Sequence, residues 1–269
     1  MTTFTEKPAS YTVNTAHAKC PNILYMIDEA SGTTLVDRGK DALGLDMTLQ
    51  NADQWTTVDL TSGGGTSPAI STLTARYALS GTGLSVTSAI CFVAIMQSDD
   101  ATNPAASETV LGAGSSASNS YSARVYSTAA SDGFVRAGYV DPTASNAKPG
   151  STDVWDGAFH MIAGKIYENG ADVRMAASHD GGAWSTTAAA TGTSFNSLLN
   201  RLGIGARATS SNIEIFTGKV VAGFVYLDDS ASWTDTWISE VYNSGDPWQF
   251  LTTGAAIPVL MNQYRQRRA

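Results

Sequence analysis

The sequence predicts a nearly all-β protein of the sandwich or barrel class, formed as one domain. Strand-length runs of apolar and β-branched residues, bounded by Gly, Asn, Asp and Ser, follow one another along most of the chain. The length of 269 residues is within the range that a single all-β core supports. A hydrophobic content of 43% with only 15% charged residues is typical of a packed globular domain.

The predicted strands are short and closely spaced. They cover residues 22–28, 43–50, 70–79, 88–97, 109–112, 121–127, 134–140, 159–167, 172–178, 202–207 and 213–227. Four stretches rich in Gly, Ser, Thr and Pro are predicted surface loops, because they contain too little apolar area to form core: 61–68, 99–107, 112–120 and 141–152.

Tight turns connect several of these strands. Asn169-Gly170 predicts a two-residue hairpin of type I′, in which both central residues have positive φ. The segments 179–184 and 131–134 predict two further reversals.

One helix is predicted near the end of the chain. Trp233, Trp237 and Val241 recur at a spacing of four, which favours an amphipathic helix over 233–242 that closes one end of the sheets. Ser232 precedes this run and is its expected N-cap. An aromatic stripe of this kind is more often core packing than a ligand platform.

Charge and termini exclude several functional classes. The net charge of −8, from 24 acidic and 16 basic residues, argues against nucleic acid as a partner. The first residues lack the order of a secretion signal, and no apolar run approaches the about 18 residues that span a bilayer, so we expect no membrane partner and folding in a cytoplasm. Cys20 and Cys91 imply no disulfide framework.

Four segments in order resemble concanavalin A-like lectin and laminin-G-like domains. They are Y-M-I-D-E-A-S-G-T-T-L-V-D-R-G at 25–39, W-D-G-A-F-H-M-I-A-G at 155–164, R-L-G-I-G-A at 201–206 with F-T-G-K-V-V-A-G-F-V-Y at 216–226, and the helix that follows Ser232. The resemblance implies a two-sheet antiparallel jelly-roll sandwich with about six or seven strands in each sheet. We therefore expect an N-terminal arm at 1–21, the sandwich at 22–251, and a C-terminal tail with a basic end at 252–269.

The segment N-S-G-D-P-W-Q-F-L at 243–251, followed by a Pro and an arginine-rich end, resembles the C-termini of tailed-bacteriophage virion proteins that carry this sandwich. This likeness implies a non-catalytic structural protein, either a capsid decoration or a tail-associated subunit. Such a protein would form homo-oligomers, bind other virion proteins, and reside in the virion after assembly in the bacterial cytoplasm. The expected assembly contacts are Tyr11, Val13, Ile257, Val259, Leu260, Tyr264, Arg265, Arg267 and Arg268.

The alternative function is a carbohydrate-binding module for host-glycan adhesion. Aromatic rings on loops or on a sheet face would stack on sugar rings, and the candidates are Trp55, Trp155, Trp184 and Trp248. A surface glycan is then a further partner, and this function is compatible with display on a virion.

A third, less favoured function is glycoside hydrolysis, which the same fold supports in other proteins. Retaining members of that group resemble one another in a Glu-x-Asp-x-x-Glu strand that sets two carboxylates about 5–5.5 Å apart, and this chain has no such strand. The three histidines show no metal-ligand spacing, and we expect a backbone or carboxylate group to satisfy His160. The chain is therefore predicted not to be an enzyme.

No cofactor is expected. If an ion binds, the resemblance implies calcium at the sandwich rim, held by loop carboxylates. The candidate ligands are the pairs Asp99-Asp100 and Asp228-Asp229, although paired loop carboxylates are more often only solvated.

Overall fold

The computed structural model describes residues 3–51, 54–73, 76–99, 104–128, 133–141, 144–195, 198–211, 214–227 and 233–253. The strands are β1 (Thr12–Val13), β2 (Ile23–Tyr25), β3 (Thr34–Leu35), β4 (Met47–Leu49), β5 (Trp55–Val58), β6 (Ser67–Thr72), β7 (Ala78–Ser80), β8 (Ala89–Ser98), β9 (Glu108–Ser115), β10 (Ser118–Ser127), β11 (Phe134–Asp141), β12 (Ala144–Asp153), β13 (Phe159–Asn169), β14 (Asp172–His179), β15 (Ala188–Thr191), β16 (Arg201–Ile204), β17 (Gly218–Leu227) and β18 (Leu251–Thr252). The helix α1 spans Trp237–Tyr242 and runs into a 3-10 turn at Asn243–Gly245.

The strands form two antiparallel sheets packed face to face. Sheet I has the order β15-β14-β13-β8-β17-β6-β5, with β2 also paired to β17. Sheet II has the order β12-β11-β10-β9-β16-β7-β4-β3. Each sheet contains eight strands, more than the six or seven expected, because several short pairings extend the edges. The predicted all-β antiparallel sandwich with one short C-terminal helix is confirmed.

An inner core lies between the two sheets. Its largest fully buried side chains include Trp155, Tyr139, Phe92 and Phe216. The rings of Trp155 and Phe216 meet edge to face, with centroids 5.9 Å apart. Burial of these aromatic rings is a major source of stability, at about 25 cal/mol for each Å² of apolar area removed from water.

Sheet I is buried on its outer face as well. A second apolar cluster covers that face, where the N-terminal arm contributes Phe4 and Cys20, and α1 contributes Trp237. Strand β8 is therefore buried on both sides and does not alternate, which explains why its sequence is a continuous apolar run. We call this covering layer the outer layer of sheet I.

The chain differs from the predicted elements in several places. The predicted strand 70–79 is two strands, β6 and β7, that belong to different sheets. Part of the predicted loop 141–152 is the edge strand β12, in which residues 146–150 are only half-buried and Thr152 is exposed, so polar residues such as Asn146 are tolerated there. The predicted loop 112–120 is mostly the β9–β10 hairpin.

The helix is shorter than predicted. It begins at Trp237 after Thr236, whose side chain makes no capping hydrogen bond. Trp233 lies outside the helix but still packs on Trp237, with ring centroids 6.4 Å apart. The predicted N-cap Ser232 lies outside the described residues.

The hairpin between β13 and β14 has a different turn from the one predicted. Asn169 pairs with Asp172, so the two central residues are Gly170 and Ala171. Gly170 has φ of +68°, as a two-residue hairpin with Gly at its first central position requires. The turn with two positive φ values is the next reversal, where Asp180 (+48°) and Gly181 (+73°) are both left-handed.

Candidate functional site

The outer face of sheet II carries a cluster of cationic and aromatic side chains. Strand alternation on β10 directs Ala123 and Val125 into the inner core, so Arg124 and Tyr126 lie on the opposite face. Arg136 on β11 pairs with Tyr126 across the ladder and therefore lies beside it on the same face.

Tyr126 is fixed by a cation above it and a glycine below it. The guanidinium carbon of Arg124 is 4.3 Å from the centroid of the Tyr126 ring, a cation–π contact. The ring lies over Gly138, where an added Cβ would come within 2.6 Å of Tyr126 Cε1. Glycine at 138 is therefore required for this position of the ring.

A carboxylate joins two of the arginines. Glu214 Oε2 is 2.9 Å from Nη1 of Arg124, and its Oε1 is 3.4 Å from Nη1 of Arg207. Thr109 Oγ1 donates a 3.2 Å hydrogen bond to the same carboxylate, and Arg207 Nη2 donates to the Asn119 carbonyl at 2.7 Å. Glu214 holds this place with φ of +61°, a strained conformation for a residue with a side chain.

The three arginines retain unused hydrogen-bonding capacity. The Nε atoms of Arg124, Arg136 and Arg207 are buried without a hydrogen-bond partner. Arg136 is half-buried, and within the described part of the chain no acceptor pairs with its guanidinium. Arg124 and Arg207 share the Glu214 carboxylate and Arg136 adds a third cation, so the three arginines and Glu214 together carry positive charge in a chain whose net charge is −8. We call Arg124, Tyr126, Arg136, Arg207 and Glu214 the arginine–tyrosine face.

The segment that follows β16 forms one wall of this face. An added Cβ at Gly114 would be 2.0 Å from the Ala208 carbonyl oxygen, so the segment lies directly on the sheet. Arg201 holds it there, because its Nε donates to Ala208 O at 3.3 Å and its Nη2 donates to Thr209 O. Burial lowers the pKa of Arg207 in this segment, and the positive charge of Arg124 lowers it further.

The structure does not support Trp155 as a sugar-stacking residue. Its side chain is fully buried in the inner core, and its Nε1 donates a 2.8 Å hydrogen bond to Glu108 Oε2. Neither ring face is open to a ligand, so this prediction is wrong. The aromatic residue of the W-x-G-x-F-H motif serves packing, which a single sequence does not distinguish from exposure.

Two of the other tryptophans are mostly covered. Trp184 is 8% exposed, stacks on Trp237, and donates to the Thr234 carbonyl; its open edge lines a cavity of 370 Å³. Trp248 is 4% exposed and donates to the Thr5 carbonyl. Both rings serve the outer layer of sheet I, so neither offers an open face for stacking.

Trp55 is the candidate with substantial exposure. It lies on the edge strand β5, is half-buried against the inner core, and donates from Nε1 to the Gly32 carbonyl at 2.8 Å. It remains a prediction as a sugar contact, on an edge of sheet I and not on the outer face of sheet II.

The predicted assembly contacts fall mostly beyond the described residues. Ile257, Val259, Leu260, Tyr264, Arg265, Arg267 and Arg268 lie there. Tyr11 donates from its hydroxyl to Asp28, and Val13 pairs with Leu251 in the β1–β18 ribbon. Both residues are half-buried against their own chain, and their role in assembly stays a prediction.

Of the four candidate calcium ligands, Asp99 lies within the described residues. Asp99 is held by Lys219, whose Nζ is 2.6 Å from Asp99 Oδ1. Asp100, Asp228 and Asp229 lie outside the described residues. Within the described ranges no group of three or more His, Cys, Asp and Glu side chains is arranged to hold a metal ion.

His160 is held by two carboxylates. Its Nδ1 is 2.6 Å from Asp180 Oδ2 and its Nε2 is 3.0 Å from Asp156 Oδ1. Burial alone would lower the pKa of His160, but the hydrogen bonds and negative charges of the two aspartates outweigh it and raise the pKa. With both ring nitrogens occupied, His160 has no free position for a nucleophile, and the expectation that a carboxylate satisfies it is confirmed.

All six glutamates are also engaged. Each accepts a hydrogen bond or forms an ion pair: Glu6 with Ser67 and the Leu60 amide, Glu29 with Arg38, Glu108 with Trp155, Glu168 with the Phe195 amide, Glu214 with Arg124 and Arg207, and Glu240 with Lys19. The acid and base pair of a glycoside hydrolase requires two carboxylates that face a common opening. The glutamates here are committed to internal contacts instead.

No helix of the described chain is long and apolar enough to cross a membrane. No protein-family model matches the sequence, and no curated protein matches it either.

Several solved structures are similar in part. The carbohydrate-binding module CBM40 of the Ruminococcus gnavus IT-sialidase, bound to α2,3-sialyllactose, is 14% identical over 53% of this chain and 78% of its own, with a TM-score of 0.41. The SAP-like pentraxin of Limulus polyphemus, a heptamer, is 15% identical over 61% of this chain and 74% of its own, with a TM-score of 0.46. The leech intramolecular trans-sialidase is 14% identical over 56% of this chain and 24% of its own, at 0.41. At these values the fold assignment depends on the observed strand order, and the site depends on its own geometry.

Proposed function

We propose that this chain is a non-catalytic binding module for an acidic glycan, and that the arginine–tyrosine face is its binding site. The observation that carries the proposal is the half-buried Arg136 guanidinium without a described partner, next to buried arginine nitrogens that lack acceptors. A guanidinium binds a carboxylate or sulfate through two parallel hydrogen bonds, so it is the side chain best suited to one acidic group on a sugar.

The surroundings of Arg136 suit a sugar better than a densely charged polymer. The exposed Asn119 lies beside the same face, where its carbonyl accepts from Arg207 and its Oδ1 accepts from Ser210 and Ser211. The side-chain amide nitrogen of Asn119 can donate to a sugar hydroxyl while the Arg136 guanidinium takes the acidic group. A nucleic acid carries a charge on every phosphate and would be repelled by a chain of net charge −8.

The absence of a free catalytic carboxylate among the glutamates supports binding without turnover. The pair of buried arginines also holds Glu214 in an ion network, so both of its oxygens are engaged within the chain. A bound glycan should therefore be recovered unchanged.

Glycan binding can be tested with immobilised oligosaccharides. The full chain should bind sugars that carry a carboxylate or sulfate and should not bind their neutral counterparts. Arg136→Ala should weaken binding about 10- to 100-fold, the loss expected for a charge-assisted hydrogen-bonding pair. The affinity of Arg136→Lys should lie between those of the wild type and Arg136→Ala, because lysine keeps the charge but not the planar guanidinium that forms two parallel hydrogen bonds.

Arg174→Ala is the matched control. Arg174 is a half-exposed arginine on β14 in sheet I, paired with Asp172, so its loss should leave binding unchanged. Unchanged binding by Arg136→Ala would contradict the proposed site. If Trp55→Ala abolished binding instead, the site would lie at the β5 edge.

We also propose that the module is displayed on a tailed-phage virion as a repeated subunit. The supporting observation is the β1–β18 ribbon, where Val13 pairs with Leu251, so the N-terminal arm and the last described strand lie side by side on the outer layer of sheet I. An anchor at this ribbon would leave the outer face of sheet II available. Antibodies against the purified chain should label tailed particles from its host, and light scattering should show an oligomer; unlabelled particles would contradict this role.

A further inference from the structure

A buried ammonium lies inside a cage of backbone carbonyls. The Nζ atom of Lys7 donates to four carbonyl oxygens: Met26 O at 2.7 Å, Ile27 O at 3.1 Å, Pro68 O at 2.5 Å and Val221 O at 3.0 Å. Lys7 is only 9% exposed. An ammonium has three protons, so four acceptors at these distances surround it in the manner of ligands around a spherical cation.

The backbone is bent to form this cage. Ile27 has φ of +53°, which is unusual for a β-branched residue. Successive carbonyls of an extended strand point to opposite sides, but here the carbonyls of Met26 and Ile27 both point at the same nitrogen. The other two carbonyls come from β6 and β17, so three separate parts of the chain converge on one point.

Negative charge surrounds the cage without entering it. Burial lowers the pKa of Lys7 to about 7, and the carboxylates of Asp28, Glu29 and Glu6 oppose that shift. Arg38 pairs with Asp28 and Glu29 from outside. The four carbonyl oxygens offer a small monovalent cation direct ligands, and the nearby carboxylates offset part of the cost of its burial.

We propose that this cage is a binding site for a monovalent cation of about the size of an ammonium ion, such as K⁺, and that Lys7 is its built-in occupant. The N-terminal arm and a free cation then compete for the same four carbonyls. Rings of backbone carbonyls replace the hydration shell of K⁺ in the same way in selective channels. A divalent ion would instead favour carboxylate ligands at shorter distances, and here carbonyls make the direct contacts.

Arm docking depends on this occupancy. Residues on either side of Lys7 are also pinned: Phe4 N donates to Leu60 O, and Glu6 accepts a hydrogen bond from Ser67. The hydrogen bonds in the cage thus help to hold the N-terminal arm against sheet I. An arm that leaves the cage would expose a site that intracellular K⁺ could fill.

The test empties the cage and supplies free cations. In Lys7→Ala, the melting temperature should be higher in KCl than in choline chloride at equal ionic strength, because choline is too large to enter, and the difference should grow with the logarithm of the K⁺ concentration. Lys7→Met keeps the cage filled with an apolar chain and is the matched control. The wild type and Lys7→Met should show no difference between the two salts.

Equal melting of folded Lys7→Ala in KCl and choline chloride would overturn the proposal, and so would an equal K⁺ effect on Lys7→Met. If Lys7→Ala fails to fold in choline chloride but folds in KCl, the proposal is supported. If it folds in neither salt, K⁺ does not replace the Lys7 ammonium, and the proposal is overturned. A rubidium-soaked crystal of Lys7→Ala should show an anomalous peak among the four carbonyls.

Discussion

The two outer faces of the sandwich differ in what covers them. The outer face of sheet I is sealed by the N-terminal arm and α1, with Phe224 and Trp237 at the centre of an apolar layer. The outer face of sheet II carries Arg124, Tyr126 and Arg136, and among the described residues the segment after β16 lies over part of it. The comparison teaches that the same strand geometry gives an apolar packing surface or a charged surface, the one proposed above as a binding site, according to what the connecting segments cover.

Buried cationic side chains are held differently in the two sheets. On sheet I, the Lys165 ammonium is buried, lies 4.6 Å from the Trp184 ring centroid, and donates to the Trp233 carbonyl. On sheet II, Arg124 and Arg207 form ion pairs with Glu214, and the buried Nε atoms of Arg124, Arg136 and Arg207 have no acceptor.

The largest expected effect is on the sealed face. Phe224→Ala should lower the free energy of unfolding by about 3–5 kcal/mol, because the fully buried ring contacts Trp248 and Phe250 edge to face. Urea unfolding followed by tryptophan fluorescence measures this. Val36→Ala, at a side chain 37% exposed, should change stability by less than about 0.5 kcal/mol. Equal effects would mean that the layer contributes little.

A smaller loss of stability is expected when the ion network of the arginine–tyrosine face is broken. Glu214→Ala should cost about 3 kcal/mol, because Arg124 and Arg207 are left buried with uncompensated charge. Glu214→Gln retains an acceptor and should cost less. If both variants were as stable as the wild type under urea, the network would be unimportant for folding.

Adding one methyl group at Gly138, under the Tyr126 ring, should perturb the arginine–tyrosine face. Gly138→Ala should cost about 1–3 kcal/mol by overpacking and should weaken glycan binding, since the new Cβ would displace the Tyr126 ring. Gly81→Ala is the comparison, because that position is open and its φ is not left-handed. Thermal melts of the two variants, together with oligosaccharide binding, separate a specific displacement from a general effect of alanine.

The smallest effect is pH-dependent and belongs to neither face. The pKa of His160 is raised when the chain folds, so its contribution is complete below its unfolded pKa of about 6.5 and is lost as pH rises through the folded value. The pKa of Asp180 is lowered, because the hydrogen bond from His160 and the nearby imidazole of His179, whose Nδ1 is 3.6 Å from Asp180 Oδ2, outweigh burial, so its contribution is present above about pH 4 and lost on further acidification.

The difference in stability between wild type and His160→Gln should therefore be greatest between about pH 4 and 6.5, at about 1–2 kcal/mol, and should shrink at higher pH. Urea titrations at several pH values measure it. A difference that stayed constant up to pH 9 would show that His160 acts through packing and not through its charge.

Much of the fold could be predicted because strands carry local signals. The long strands β8, β13 and β17 are apolar runs of the right length with turn residues beside them. The edge strand β12 was not predicted, because its sequence gives no apolar pattern, and Asn146 and Lys148 are only half-buried there. The predicted helix was longer than α1, because Trp233 packs against Trp237 although it lies outside the helix.

The candidate site was harder to predict, and the reason is physical. Tryptophans were chosen as sugar contacts because of their chemistry, but whether a ring is exposed depends on which segment covers it, as Trp155 and Trp184 show. The arginines did leave a signal: Arg124 and Arg136 alternate with apolar residues within strands, where a charged side chain must point away from the core. The role of Glu214 had no local signal, since its partners are remote in sequence.

The β1–β18 ribbon also determines how the module would respond to mechanical load. Its two rungs pair Thr12 with Thr252 and Val13 with Leu251, so a pull on the C-terminal side would open them one after the other, as a zipper opens. Resistance would rise only when the strain reached Phe250, which is fully buried. A tether attached there has a compliant first stage and a stiff second one.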